Sequence, residues 1–216
     1  AGGAASSNSD GSITSSVSAN TTAGFSIVSY TGTATNATIG HGLSAAPTMI
    51  IVKGRTASGS GHSDYWFMYG EPMGATGALQ LDNTSAISTA SIYWNDTAPT
   101  ASVFSVANDT VTNESGRAYI AYCFSSIDGY SKAGKYTGNS TNGNGPFVFT
   151  GFRPAWILFK RITNAGSNGY IIDNKRIGYN HYNTSTDAGS NKFLYPDSTA
   201  IESIDGTKGM GVDILS

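Results

Sequence analysis

Acidic side chains come first, because general acid–base chemistry needs two carboxylates facing one cleft. Asp64, Glu71, Asp82, Asp173 and Asp187 are the candidates, and each stands in or beside a polar loop with no motif around it. They read as turn residues and solvent-facing acids. His41 lies between two glycines with no second His, Cys or Asp at metal-ligand spacing, so it reads as a hydrogen-bonding partner of its own turn. The single cysteine, Cys123, falls inside the apolar run 119–124 and reads as a small buried hydrophobe, not a reactive thiol. Neither a D-x-[DN]-x-[DN]-G calcium loop nor a G-x-S-x-G elbow occurs. The expectation is a chain without catalytic residues, metal or cofactor. What could do work is aromatic: Tyr65, Trp66, Trp94, Tyr179 and Tyr182, with His181 between the last two, could present apolar faces with polar tips to a glycan. The competing expectation is that Trp66, Trp94 and Trp156 are core residues, Trp156 most strongly because it sits inside an apolar run.

The elements that must position these side chains are short strands. Residues 42–55 (GLSAAPTMIIVKGR) run from a turn through Pro47 into an apolar strand and out onto basic residues. Residues 151–161 (GFRPAWILFKR) repeat the plan, with Pro47 matching Pro154 and Lys53 matching Lys160, 107 positions on in both cases (47 to 154, 53 to 160). Around this pair, residues 24–32 match 129–138, 65–67 match 170–172, 79–81 match 193–195, and 103–106 match 212–215. Shifts occur at loops, where insertions are tolerated. Five segments matching in one order point to an internal duplication. Strands are expected at residues 25–30, 49–53, 65–69, 79–81, 90–94, 103–106, 119–124, 147–150, 155–160 and 170–173. The run 49–52 lacks polar alternation and predicts a strand covered on both faces. No apolar period of 3.6 persists over three turns, so few or no helices are expected. The fold class is all-β: an antiparallel β-sandwich, jelly-roll or lectin-like, internally duplicated.

Three segments follow from this pattern. Residues 1–23 are small and polar and read as a flexible arm or linker toward other proteins. Residues 24–128 form the first β unit and 129–216 the second, packed with the first. The second unit has no counterpart of the apolar strand 119–124, an omission that would leave an open sheet edge. Either a final strand is cut off from this sequence or another chain supplies it; the second case is the reason to expect a homo-oligomer.

Composition narrows the partners. Charged residues are only 12%, about half the usual share, with Ser, Thr, Asn and Gly in their place. A net charge of −2 gives no basic footprint for nucleic acid. No apolar run reaches the roughly 18 residues of a membrane span. Such a low-charge, small-polar surface suits an extracellular or virion β-protein.

Residues 24–33 (GFSIVSYTGT), 39–43 (IGHGL), 47–53 (PTMIIVK), 119–124 (YIAYCF) and 151–156 (GFRPAW) together resemble an uncharacterised duplicated domain found in structural and tail-fibre-like proteins of marine tailed bacteriophages. The resemblance runs over nearly the whole chain from Gly24. It implies a virion component and a β-sandwich in a host-facing fibre, trimeric by preference, contacting other virion proteins through the N-terminal segment and a host glycan through loops. It carries over no catalytic residues. A capsid decoration module without receptor contact and a glycan-degrading tailspike domain are the other readings.

Overall fold

The computed structural model describes residues 2–56, 64–141, 144–175, 192–200 and 203–204. The chain is all-β, with antiparallel sheets and, among the described residues, two single-turn helices. In chain order the elements are β1 (Ser6–Asn8), β2 (Ser15–Asn20), β3 (Phe25–Thr31), β4 (Ala37–Gly40), β5 (Met49–Gly54), β6 (Trp66–Gly70), a 3-10 turn (Glu71–Met73), β7 (Gly77–Gln80), β8 (Ser88–Thr89), α1 (Ser91–Trp94), β9 (Val103–Val106), α2 (Thr110–Asn113), β10 (Ala118–Phe124), β11 (Trp156–Phe159), β12 (Tyr170–Asp173), β13 (Lys192–Phe193) and β14 (Ser203–Ile204). They divide into two compact units. One comprises Ala1–Leu81 with Ala86–Gly134, the other Asp82–Ser85 with Lys135–Ser216.

The first unit is built on an eight-stranded sheet in the order β1-β2-β3-β10-β5-β6-β7-β8. Its last strand in sequence, β10, lies in the middle, paired with β3 on one side and β5 on the other. The register sets rows across the sheet. Val28, Ala121, Val52 and Phe67 form one row, and Ser26, Cys123, Ile50 and Tyr69 the next. All of these are buried. Over this face lies the ribbon β4–β9, whose Ile39, Phe104 and Val106 join the same core. The two layers form a sandwich because the faces they turn to each other are apolar.

Polar clamps join the layers. Tyr30 and Tyr119 stack at 5.3 Å, and their hydroxyls donate to the carbonyls of Thr112 (2.7 Å) and Thr110 (2.5 Å) in α2. Asn113 is wholly buried. Its Nδ2 donates to the carbonyls of Thr35 (2.7 Å) and Ala107 (2.6 Å), and its Oδ1 accepts from the Thr33 N–H (2.8 Å). Arg117, 5% exposed, bonds the Thr56 and Thr110 carbonyls and pairs with Asp64 and Glu114. Gly54 leaves room for it, since a Cβ there would run into the guanidinium.

The second unit is smaller and repeats part of the first. The hairpin β11–β12 pairs Phe159 with Tyr170, as β5–β6 pairs Val52 with Phe67. The first strands are thus related by 107 positions (52 to 159) and the second by 103 (67 to 170). The sequence match of Tyr65 with Tyr170 is two residues out, which preserves the face of every side chain. Ile171 then exchanges hydrogen bonds with Leu194 (2.9 and 3.1 Å), where Met68 pairs with Leu79. Phe193 pairs with Ser203 as Ala78 pairs with Ser88. The four-strand meander β5–β8 therefore recurs as β11–β14. The sequence match of Leu79 with Phe193 is one residue out. The core triple Val52, Phe67 and Ala78 becomes Phe159, Tyr170 and Phe193, with Tyr170 lying 5.1 Å and 5.3 Å from the other two rings.

Four expectations are corrected. Residues 1–23 are no free arm: β1 and β2 extend the sheet beside β3, and Ile13 and Val17 enter the core. The expected strand 90–94 is α1, closed by Asn95 and Asp96 with φ of 53° and 47°. These two residue types tolerate the left-handed conformation that ends a helix. Residues 147–150 form no strand, and Phe147 is 72% exposed. The run 49–52 is not covered evenly, because Ile50 and Val52 are wholly buried while Met49 and Ile51 are half-buried. The segment 212–215, matched to β9, lies outside the described residues.

Candidate functional site

The second face of the eight-stranded sheet carries the only sequence-nominated aromatic that the described residues join to a polar group on an accessible surface. Alternation along β5, β6 and β10 sends Ile51, Lys53, Trp66, Met68, Ile120 and Tyr122 away from the core, all half-buried. Lys53 is the cross-strand partner of Trp66, and its ammonium lies 4.9 Å from the indole centroid. That ammonium also donates to the Asp64 carbonyl at 2.5 Å. One row over, the Tyr122 ring stacks on Trp66 at 6.2 Å and 17°. The result is a flat aromatic plate from two strands with a cation at its edge. Cross-strand and diagonal neighbours on a pleated sheet stand close enough for rings to meet.

Below the plate, apolar rows continue. Ile27, Tyr122, Ile51 and Met68 lie abreast, followed by Phe25, Phe124 and Met49. Phe25 and Phe124 are 4.8 Å apart. Chemically this surface can stack on a planar or CH-rich partner and bury apolar area.

The other nominated residues go elsewhere. Trp94 is 1% exposed and packs edge-on against Tyr69 at 5.9 Å, so it is a core residue and not part of a binding surface. Tyr65 leans on Phe67 at 6.5 Å at the margin of the core. Tyr179, His181 and Tyr182 lie outside the described residues. Trp156 reverses its expectation: it is 53% exposed. Sequence reasoning missed Tyr122 and Lys53 as site residues, because the runs 119–124 and 49–52 are apolar throughout and only the pairing of β10 with β5 shows which side chains share the plate. Of the acids, Asp64 is held by Arg117, Glu71 opens the 3-10 turn, and Asp173 ends β12. Among the described residues no three His, Cys, Asp or Glu side chains gather as metal ligands.

His41 is fully determined. Its Nδ1 accepts from the Leu43 N–H at 3.1 Å, which leaves Nε2 protonated to donate to the Thr100 carbonyl at 3.1 Å. Burial pushes its pKa below the ordinary value. Gly42, at φ 69°, makes the turn and lies against Val17. Burial likewise pushes the Cys123 thiol up to about 12.

The match to known families covers residues 1–216. The chain belongs to the DUF7483 family, a domain of unknown function. No curated protein and no solved structure matches it. Among the described residues, the plate of Trp66, Tyr122 and Lys53 is the candidate contact site of this DUF7483 chain.

Proposed function

We propose that this DUF7483 chain is a non-enzymatic module of a bacteriophage virion, most like a fibre component, that attaches to a host-surface glycan. The observation that carries the reading is the plate on the second face of the sheet: Trp66 stacked on Tyr122 with the Lys53 ammonium at its edge. A sugar ring offers axial C–H bonds to an aromatic face and hydroxyls to a cation and to backbone carbonyls beside it. The plate is preorganised, since both rings and the ammonium are already fixed by strand register, so little ordering cost remains on binding. A surface low in charge and rich in Ser, Thr and Asn supports the same reading.

The test is titration of the full chain with lipopolysaccharide-derived and capsular oligosaccharides, followed by saturation-transfer NMR. Binding is expected to weaken about tenfold or more in Trp66→Ala, because a ring contact with its buried area contributes ~1–2 kcal/mol. Buried Trp94 reports that the variant stays folded. Glycan binding that is unchanged in Trp66→Ala removes the plate from the site, and no binding across the panel removes the glycan reading.

A specific observation favours a second reading. The apolar rows Ile27–Tyr122–Ile51–Met68 and Phe25–Phe124–Met49 suit a protein neighbour more than a sugar. Under that reading the chain is an assembly or decoration module, and the face is covered by another virion subunit or by further copies in a trimer. Light scattering over a dilution series separates the cases: a trimer that resists dilution supports self-assembly, and a monomer that binds glycan supports attachment.

A further inference from the structure

Lys53 and Lys160 hold the same place in the two repeats but end in different surroundings. Lys53 is half-buried on the open face beside Trp66. Lys160 is enclosed: its side chain is 3% exposed, that of Asp197 is 0% exposed, and Nζ stands 3.2 Å from Asp197 Oδ2. Nζ also donates to the Asn83 carbonyl. Lys160, Asp197 and Asn83 all belong to the second unit.

A buried ion pair repays its desolvation only when its other lone pairs and protons are also bonded. Here they are not. Asp197 Oδ2 accepts from the Gly169 N–H at 2.8 Å and from Lys160, whereas Oδ1 is buried with no partner among the described residues. Asp82 stands one residue before the carbonyl that holds Nζ, and its Oδ1 is likewise buried without a partner among the described residues. Orphaned buried oxygens cost free energy. Gly169 lets the pair close, since a Cβ there would stand 3.0 Å from Pro196 Cγ and 3.9 Å from Lys160 Cδ.

We propose that Lys160 and Asp197 are the site of an autocatalytic isopeptide bond within the second unit. Moving one proton from the ammonium to the carboxylate gives an amine and a carboxylic acid, and removal from water favours that neutral pair over two charges. The Nζ lone pair attacks Asp197 Cγ, and an Nζ–Cγ bond forms. The Gly169 N–H holds Oδ2 as it takes up negative charge in the tetrahedral intermediate. The Cγ–Oδ1 bond then breaks. Oδ1 leaves as water, with its own proton and one from Nζ, and the Asp82 carboxyl group carries that proton between them. Amine and acid become one amide and one water, with no oxidant and no other reactant.

The existing hydrogen bonds fit the product better than the ion pair. The amide N–H keeps the Asn83 carbonyl as its acceptor, and the amide oxygen keeps the Gly169 N–H as its donor. The Asp197 atom that departs is the one without a partner. The bond joins residues 37 positions apart. It restricts the unfolded chain as a disulfide does, in a sequence whose single cysteine forms none within the chain.

Mass spectrometry of the full chain in denaturant reads the bond directly. The expected mass is short of the sequence by one water. Trypsin is expected to leave the Lys160–Arg161 bond uncut and to release a branched peptide, residues 136–161 joined to residues 193–208. Lys160→Arg and Asp197→Ala should each show the full mass of their sequence. Asp82→Asn should leave most freshly made molecules at full mass, because the proton carrier is gone. A wild-type chain of full mass, cut by trypsin after Lys160, overturns the proposal. So does a water loss that maps to Asp128–Gly129 or Asp205–Gly206, since that is a backbone succinimide. Bond formation at the wild-type rate in Asp82→Asn overturns the part given to Asp82.

Discussion

Replacing Asn113 by alanine should cost the first unit about 3–5 kcal/mol, and the number follows from its bonding. Three backbone groups lose their only side-chain partner: the carbonyls of Thr35 and Ala107 and the N–H of Thr33. All three lie around a fully buried side chain, and an orphaned buried group costs roughly 1–3 kcal/mol. A water entering the vacated space offsets part of the total. The turn it braces is itself strained, because Ala34 holds φ 57° with its N–H on the Asn113 carbonyl at 2.7 Å. Urea unfolding followed by the fluorescence of Trp66 and Trp94, in a Trp156→Phe background that silences the second unit, reads the loss as a lower midpoint at constant slope. Asn113→Asp sharpens the test. Its carboxylate keeps the acceptor but faces two carbonyls, so the variant should gain stability on acidification as the protonated form recovers one donor bond. A loss under about 1 kcal/mol in Asn113→Ala, or an Asp variant indifferent to pH, refutes the clamp.

Three further outcomes are expected. Burial lowers the His41 pKa, so the unfolded chain binds the proton more readily; stability is full above the unfolded value of about 6.5 and falls as pH drops below it toward the folded pKa. His41→Gln should flatten that acid limb in urea midpoints measured across pH. Cys123, with its thiol pushed up to about 12 and no exposed surface, should resist iodoacetamide in the native protein and react only under denaturant, as mass spectrometry reads directly. Trp94→Phe should cost under ~1.5 kcal/mol and Trp94→Ala ~3–5 kcal/mol in thermal unfolding, because the indole N–H has no acceptor to lose while the ring fills the core.

Strands that were apolar runs between turn residues were legible to within a residue at most ends: β3, β5, β6, β9 and β10 all stand where periodicity and composition put them. The failures share a physical cause, which is that strand propensity is partly a statement about neighbours. Residues 15–20 hold one large apolar side chain, Val17, yet form a strand because β3 offers a full edge. Residues 147–149, Phe-Val-Phe, have far higher propensity and form none, with Phe147 and Val148 at 72% and 50% exposure. Residues 91–94 look strand-like in type, but the left-handed pair Asn95 and Asp96 closes them as a helical turn. For the site, aromatic residue types nominated Trp66 and also nominated Trp94, because residue type alone does not say which face a ring takes. Tyr122 became visible only once β10 was known to sit beside β5.

The position of β10 sets how far apart in sequence the contacts of the first unit lie. It is the last strand of the first unit in sequence and a central one in space, so the β1–β2–β3 half and the β5–β8 half stay separate sheets until it arrives. Closing the first unit thus waits on contacts between residues 87 to 99 positions apart (118 − 31 and 124 − 25), a long loop to close. The meander β5–β8 needs no such contact, since each of its strands pairs with the next in sequence. Among the described residues the meander is the part that recurs in the second unit, with its own aromatic nucleus at Tyr170.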